Sequence, residues 1–345
     1  MIRYSAIFFL LISLFSCENQ DEAQKRIRKA SLLPEAIGEV SDILIVVDEN
    51  LWLQGVKVKI ENIFQENIKG LFQIEKDFDV ANVSSKNFSD LLKKQRHILE
   101  IQIDKKLKSG VFEPSVGTAK NQKYIKIIGK NINEINDLLQ QNAKDIYAHF
   151  DTHRLQTIQS NLSKNRGLDH ISKLIEDHNL SIEIAKDFNR INNTKNFVYF
   201  SKQGTLNCDK GVSSQCYYQI GFFIHYFPYT NPNQFSTKYL MNKRDSLTEI
   251  YLLGPDRAKK TYVEHEKSFP IYTDTIPVLN SFSIRNKSWW NMVNATMGGP
   301  FVQYAVYDEK NKRIILVDGF VFAPNLNKRR FIHQINAVAQ SLKIF

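Results

Sequence analysis

Asp318 is the residue whose setting most calls for chemistry. It interrupts ILVDGFVF, a run that otherwise reads as a strand with two apolar faces. A buried carboxylate must be paired or have its pKa displaced. Two readings stay open: a salt-bridged core residue, or the acid of a site. In either case Arg285 is the most attractive partner. Trp289 and Trp290 follow closely in RNKSWW. Together they offer a ring platform for a sugar or other ligand, or, more plainly, one buried and one half-exposed indole beside a turn. Gly298-Gly299-Pro300 allows a sharp turn and then a strand opening at Pro300, where the missing amide does little harm. Arg285, Trp289, Trp290, Gly298, Gly299 and Asp318 form the candidate ligand-binding set.

A second constellation is Lys328-Arg329-Arg330 at the start of the last helix expected. Three cations there oppose the positive end of the helix dipole. Free amides at such a start favour anions, so the three predict either a phosphate or carboxylate site or neighbouring carboxylates that offset the clash. His149 and His153 lie one helical turn apart, but the glutamate of HExxH is absent, and no metal is expected. There is no GxSxG, P-loop or dinucleotide fingerprint, so no cofactor and no catalytic residue is assigned.

The elements that must position these residues read as α+β, two α/β-sandwich-like lobes with mostly antiparallel sheets. Residues 38–162 form the first lobe and 167–345 the second, separated by the polar stretch from Ser163 to Gly167. In the first, Ile43-Leu44-Ile45-Val46-Val47 is apolar on both faces and suits a central strand. Helical spacing follows from Trp52 to Asn67, and ILEIQI at 98–103 alternates as a half-buried strand. Asn131 caps a helix that continues toward Leu162. In the second lobe, strands at 197–200 and 217–227 flank a loop, a helix runs from Gln234 to Glu249, and irregular sequence reaches about Pro277. Strands at 301–307 and 313–322 precede a helix from Leu326 to Lys343. Both halves end in strands followed by a helix, a pattern compatible with duplication or with ordinary alternation.

The amino terminus sets the address. Arg3 precedes a nearly continuous apolar run from Ala6 to Phe15, the length of a secretory h-region and too short to span a bilayer. Leu14-Phe15-Ser16-Cys17 resembles a bacterial lipobox. That resemblance implies a signal peptide over 1–16, cleavage before Cys17 and acylation of that cysteine, with a plain secretory signal as the alternative. Residues 17–37 read as a lipidated flexible tether. Stable anchoring takes two acyl chains, which a lipoprotein cysteine would carry. The expected partners are the membrane, through the Cys17 lipid, and an envelope protein, glycan or lipid. The net charge is +10 over 345 residues, +9 once Arg3 is lost, but the lysines are scattered and no nucleic-acid module appears, so no nucleic acid is expected. Export leaves Cys208 and Cys216 as an even pair across a turn-rich loop, which predicts a disulfide.

GEVSDILIVVDENLW, RNKSWW followed by MGGPF, and GFVFAPNLNKRRF together resemble the bacterial lipoproteins catalogued as domain of unknown function 4837. The resemblance implies a Bacteroidetes-type Gram-negative envelope, at the outer membrane with the face left open. It implies no activity, cofactor or catalytic residue. Three roles therefore stand: non-catalytic binding or assembly, an envelope hydrolase or transferase with Asp318, Arg285 and Trp289 near its site, and a lipid or polyanion carrier.

Overall fold

The computed structural model describes residues 32–209, 214–256 and 258–345. The signal peptide, Cys17 and most of the tether lie outside the described residues. The chain forms two compact units, one built from residues up to Gln65 and from Phe78–Phe150, the other from Glu66–Asp77 and Asp151–Phe345.

The first unit is organised by β1 (Asp42–Val46), flanked by β2 (Asp79–Val83) and β3 (His97–Ile103), with β5 (Lys123–Gly129) and β4 (Val111–Pro114) beyond. The β1–β2, β1–β3 and β3–β5 pairs are parallel and β4–β5 is antiparallel. A β1 apolar on both faces is thus central. One face packs Ile43 and Ile45 against α1 (Lys57–Phe64), α2 (Ile132–Gln141) and the start of α3 (Ala143–Lys164); the other packs Leu44 and Val46 with Ile98. Parallel strands covered on both faces are the usual consequence of helical crossovers. Glu35 and Ile37 already bridge to Lys120 and Gln95, so pairing with this unit starts ahead of Gly38. The helix expected from Asn131 to Leu162 is two helices. Asn131 caps α2 by accepting from the Glu134 amide at 3.0 Å. Asn142 then leaves helical geometry (φ −103°, ψ 13°), its side chain donating to Leu138 O.

Antiparallel pairing dominates the second unit, and with it the chain as a whole. α4 (Leu168–His178) leads through β6 (Leu180–Ser181) to a sheet ordered β10-β12-β13-β14-β9-β8-β7, with β11 also on β12. These strands are β7 (Asn189–Thr194), β8 (Phe197–Asn207), β9 (Gln215–Pro228), β10 (Val263–His265), β11 (Tyr272–Thr275), β12 (Ser283–Met292), β13 (Gly298–Asp308) and β14 (Arg313–Phe322). Two layers cover it. α5 (Thr237–Tyr251) packs Leu240, Met241 and Leu247 onto Phe223, Phe301 and Leu316; α6 (Arg329–Ala339) packs Ile332, Ile335 and Val338 onto Phe222, Val302 and Val317. Alternate residues of each central strand therefore feed opposite cores, as the two-residue strand period requires. Cys208 and Cys216 are bonded at a Cα separation of 5.1 Å, closing the β8–β9 loop.

The last helix is shorter than its apolar spacing suggests. It ends at Ala339 because the chain then forms β15 (Lys343–Ile344) against β6. The stretch expected to be irregular before Pro277 supplies β10 and β11.

Candidate functional site

The register of β12, β13 and β14 decides which candidate residues meet. Asn286 is opposite Gln303, and Gln303 opposite Asp318; Arg285 is opposite Tyr304, and Tyr304 opposite Val317. Neighbours in register share a face, and Val317 and Tyr304 belong to the α6 core. Asp318 thus faces α5 and Arg285 faces α6, on opposite sides of one sheet. The Asp318–Arg285 pair expected from sequence does not form.

Asp318 is paired instead with Arg244 of α5. Arg244 Nε donates to Asp318 Oδ2 at 2.9 Å, and both side chains are fully buried. The guanidinium lies 3.8 Å from the Phe301 ring centre. Burial lifts the Asp318 carboxyl to about 6, with Arg244 opposing. A polar seam continues across the sheet: Gln303 accepts from Asn286 Nδ2 at 3.2 Å, and Asn286 accepts from Thr273 Oγ1 at 2.8 Å. Arg244 is a sequence signal that was missed. It occupies an inward position in the spacing Leu240, Met241, Arg244, Leu247, Thr248, all buried, where a charge requires an internal partner.

On the α6 face, β12 presents Arg285, Lys287 and Trp289 at alternate positions. Arg285 Nε donates to Asp274 Oδ1 at 2.8 Å, and the Lys287 ammonium lies 3.5 Å from the same carboxylate. Tyr304 Oη donates to Asn336 Oδ1 at 2.8 Å and accepts from Gln340 Nε2 at 3.1 Å and Arg285 Nη1 at 3.4 Å. Burial, and then the neighbouring Arg285, push the Lys287 ammonium below its ordinary value, while Asp274 pulls the other way. Beside this row, Asp77 meets Arg154 at 3.0 Å and His333 at 3.3 Å; burial raises its pKa, but the His333 hydrogen bond and the Arg154 charge outweigh that and hold it well below the usual range. The arrangement holds charges in fixed pairs and exposes one edge through Asp274, whose side chain is 44% exposed. What it offers chemically is fixed charges and ring faces. Lys287, Asp77, Arg154 and His333 had no sequence signal, because they meet only through the hairpin Glu66–Asp77.

The remaining candidates are accounted for one by one. Trp290 is buried and donates to Val321 O at 3.3 Å, whereas Trp289 is half-buried against Phe72 and Phe269, with ring centres 4.6 and 6.2 Å away. The platform is therefore Trp289 with two phenylalanines, and Trp290 belongs to the opposite core. Gly298 and Gly299 do not make the turn. They open β13, and a Cβ on Gly299 would lie 1.8 Å from Val321 O, a close approach that only glycine allows. The carboxylate of Glu75 occupies the start of α6, accepting from the Lys328 and Arg329 amides at 2.7 Å each. Arg330 lies 3.9 Å from Asp209. Internal carboxylates thus satisfy the anion position, as the free amides at a helix N-terminus require. Burial lowers the His149 pKa beside Phe112, and no group of three metal-ligating residues occurs among the described residues.

Comparison with known proteins adds family and little else. Residues 36–163 match the family described as Domain of unknown function (DUF8532), which places GEVSDILIVVDENLW outside the match to the family named above. No curated protein matches the chain. Among solved structures it is similar to the Saccharomyces cerevisiae Ran-binding protein Mog1p, at 6% identity over 48% of this chain and 90% of that one, with a TM-score of 0.30. It is likewise similar to a mutant of protein Mog1, at 7% identity over the same shares, with a TM-score of 0.29. Residues 168–341, which carry every candidate ligand-binding residue, match Domain of unknown function (DUF4837), and the chain belongs to that family.

Proposed function

We propose that this protein is moored to the cell envelope by acyl chains on Cys17 and works there by binding an envelope protein, glycan or lipid rather than by catalysis. The observation that carries the binding role is the separation of Asp318 from Arg285 by the thickness of the sheet. An envelope hydrolase or transferase built on Asp318, Arg285 and Trp289 would need all three on one surface. A polyanion carrier using the start of α6 would need that position open, and Glu75 fills it. What remains available is the exposed edge of the α6 face, where Asp274, Arg285 and Trp289 meet solvent. The mooring rests on Leu14-Phe15-Ser16-Cys17 and the short apolar run before it.

Mass spectrometry of the processed amino-terminal peptide tests the anchor: diacylglyceryl and acyl groups on Cys17 are expected, and a bare thiol overturns it. Affinity capture from native membranes tests the binding role. Partners recovered with the tagged protein should be lost with Trp289→Ala and Arg285→Ala, and retention of every partner by both variants removes this edge from the proposal.

A further inference from the structure

The hairpin Glu66–Asp77 has its polarity reversed. Gln73 is half-buried and Glu75 buried, whereas Phe72 is 60% exposed and Ile74 79% exposed. The inward pair is pinned. Glu75 caps α6, and Gln73 Nε2 donates to Leu326 O at 3.4 Å. This fixes the alternate side chains Phe72 and Ile74 outward. Phe72 is further held by Phe269 and Trp289, with ring centres 4.4 and 4.6 Å away. An aromatic and an aliphatic side chain held outward by two inward polar residues form a surface built to be covered.

The charges around it select the cover. Lys69 and Lys76 are exposed on the same hairpin, and Arg329 and Arg330 stand at the α6 start that Glu75 caps. Asp77 is engaged by Arg154 and His333, Glu75 by the helix amides and Asp274 by Arg285 and Lys287, leaving Glu66, Asp209 beside Arg330, and Glu266 beside Phe269 as the outer acids. An apolar tip ringed by cations matches a bilayer with anionic head groups, where tryptophan and phenylalanine sit at the interface and each basic residue near the surface adds attraction. We infer that Phe72 and Ile74 insert into the membrane interface, with Lys69, Lys76, Arg329 and Arg330 against anionic lipid, so that the second unit lies on the bilayer in a fixed orientation. The membrane itself is the one the proposed anchor supplies; the surface is a separate claim.

The two claims separate on the processed chain carrying Cys17→Ser, which has no acyl group. Its partition onto phosphatidylcholine vesicles with and without phosphatidylglycerol is measured by co-sedimentation. Binding is expected to be stronger with phosphatidylglycerol, to weaken with salt, and to fall about tenfold or more in Phe72→Ser/Ile74→Ser. Lys69→Glu/Lys76→Glu should weaken it about tenfold or more, and only on the anionic vesicles. Both variants change exposed side chains, and an unaltered unfolding midpoint establishes that they fold. No vesicle binding by Cys17→Ser, binding unaffected by the Phe72/Ile74 change, or self-association that consumes the patch each overturns the inference, whatever Cys17 carries. Vesicle binding together with a bare Cys17 thiol sustains it and removes the anchor alone.

Discussion

Asp318 and Arg244 carry opposite charges into a dry core, and neither is tolerable without the other. Removing one partner of such a pair typically costs about 3–5 kcal/mol, while replacing both with apolar residues is often neutral or better. Asp318→Ala is therefore expected to destabilise by about that amount in denaturant unfolding, and Arg244→Met/Asp318→Leu to recover most of it. A double variant as unstable as the single would mean that the ion pair has a role beyond packing. That Asp318 would be paired was legible in ILVDGFVF, because an isolated charge between apolar residues leaves few options. Its partner was legible too, in the helical spacing around Arg244. Arg285 attracted attention only because its strand parity was hidden. The stretch SIRNKSWWNM carries polar residues at both parities, since both faces of the sheet are covered and each uses polar seams, so the two-residue alternation that marks a strand is blurred.

Elements were easiest to read where one periodicity dominates. β1 stands out as an apolar run and β14 as one interrupted by Asp318, and both are flanked by strands on either side. Element ends were harder, because distant residues set them. The start of α6 is fixed by Glu75, some 250 residues earlier in the chain. Removing Glu75 leaves two orphan amides and takes the nearby negative charge from the buried Lys328 ammonium. Glu75→Ala should cost about 2 kcal/mol in denaturant unfolding, whereas Glu66→Ala, on an exposed side chain of the same hairpin, should stay within about 0.5 kcal/mol. Equal effects at the two positions would show that the hairpin matters only as covering surface. The glycines of MGGPF make the same point about distance. Their pattern reads as a turn locally, yet Gly299 is required by the carbonyl of Val321 on another strand.

Across the whole molecule, several buried groups respond to acid in the same direction. Burial, and then Lys243, bring His225 from 6.5 down to about 4, its Nδ1–H donating to Asn196 O. Burial likewise lowers His333, and Asp77 is held low by Arg154 and His333. A histidine whose folded pKa is depressed stabilises the fold above 6.5 and loses that contribution as pH falls toward the folded value. A depressed carboxylate does so below its ordinary value of 3.8. Asp318, lifted to about 6, works in the opposite sense between those limits, against the two histidines, while Asp77 acts only at more acid pH. Unfolding midpoints should fall on going from pH 7 to 4.5, and His225→Gln should flatten the dependence. His225 alone accounts for up to about 3 kcal/mol at its acid limit. A profile of unchanged slope in His225→Gln would assign the acid sensitivity to His333.

The excursion Glu66–Asp77 has a practical consequence for anyone dividing this gene. The family matches change over between residues 163 and 168, an inviting place to cut. A fragment starting there would arrive with the last helix uncapped. A cut made one helix earlier, which keeps Arg154, would strip that arginine and His333 of Asp77. Two segments that look independent on a linear map are stitched by twelve residues borrowed from the earlier one, so the later segment can be expressed whole only if that piece is grafted back.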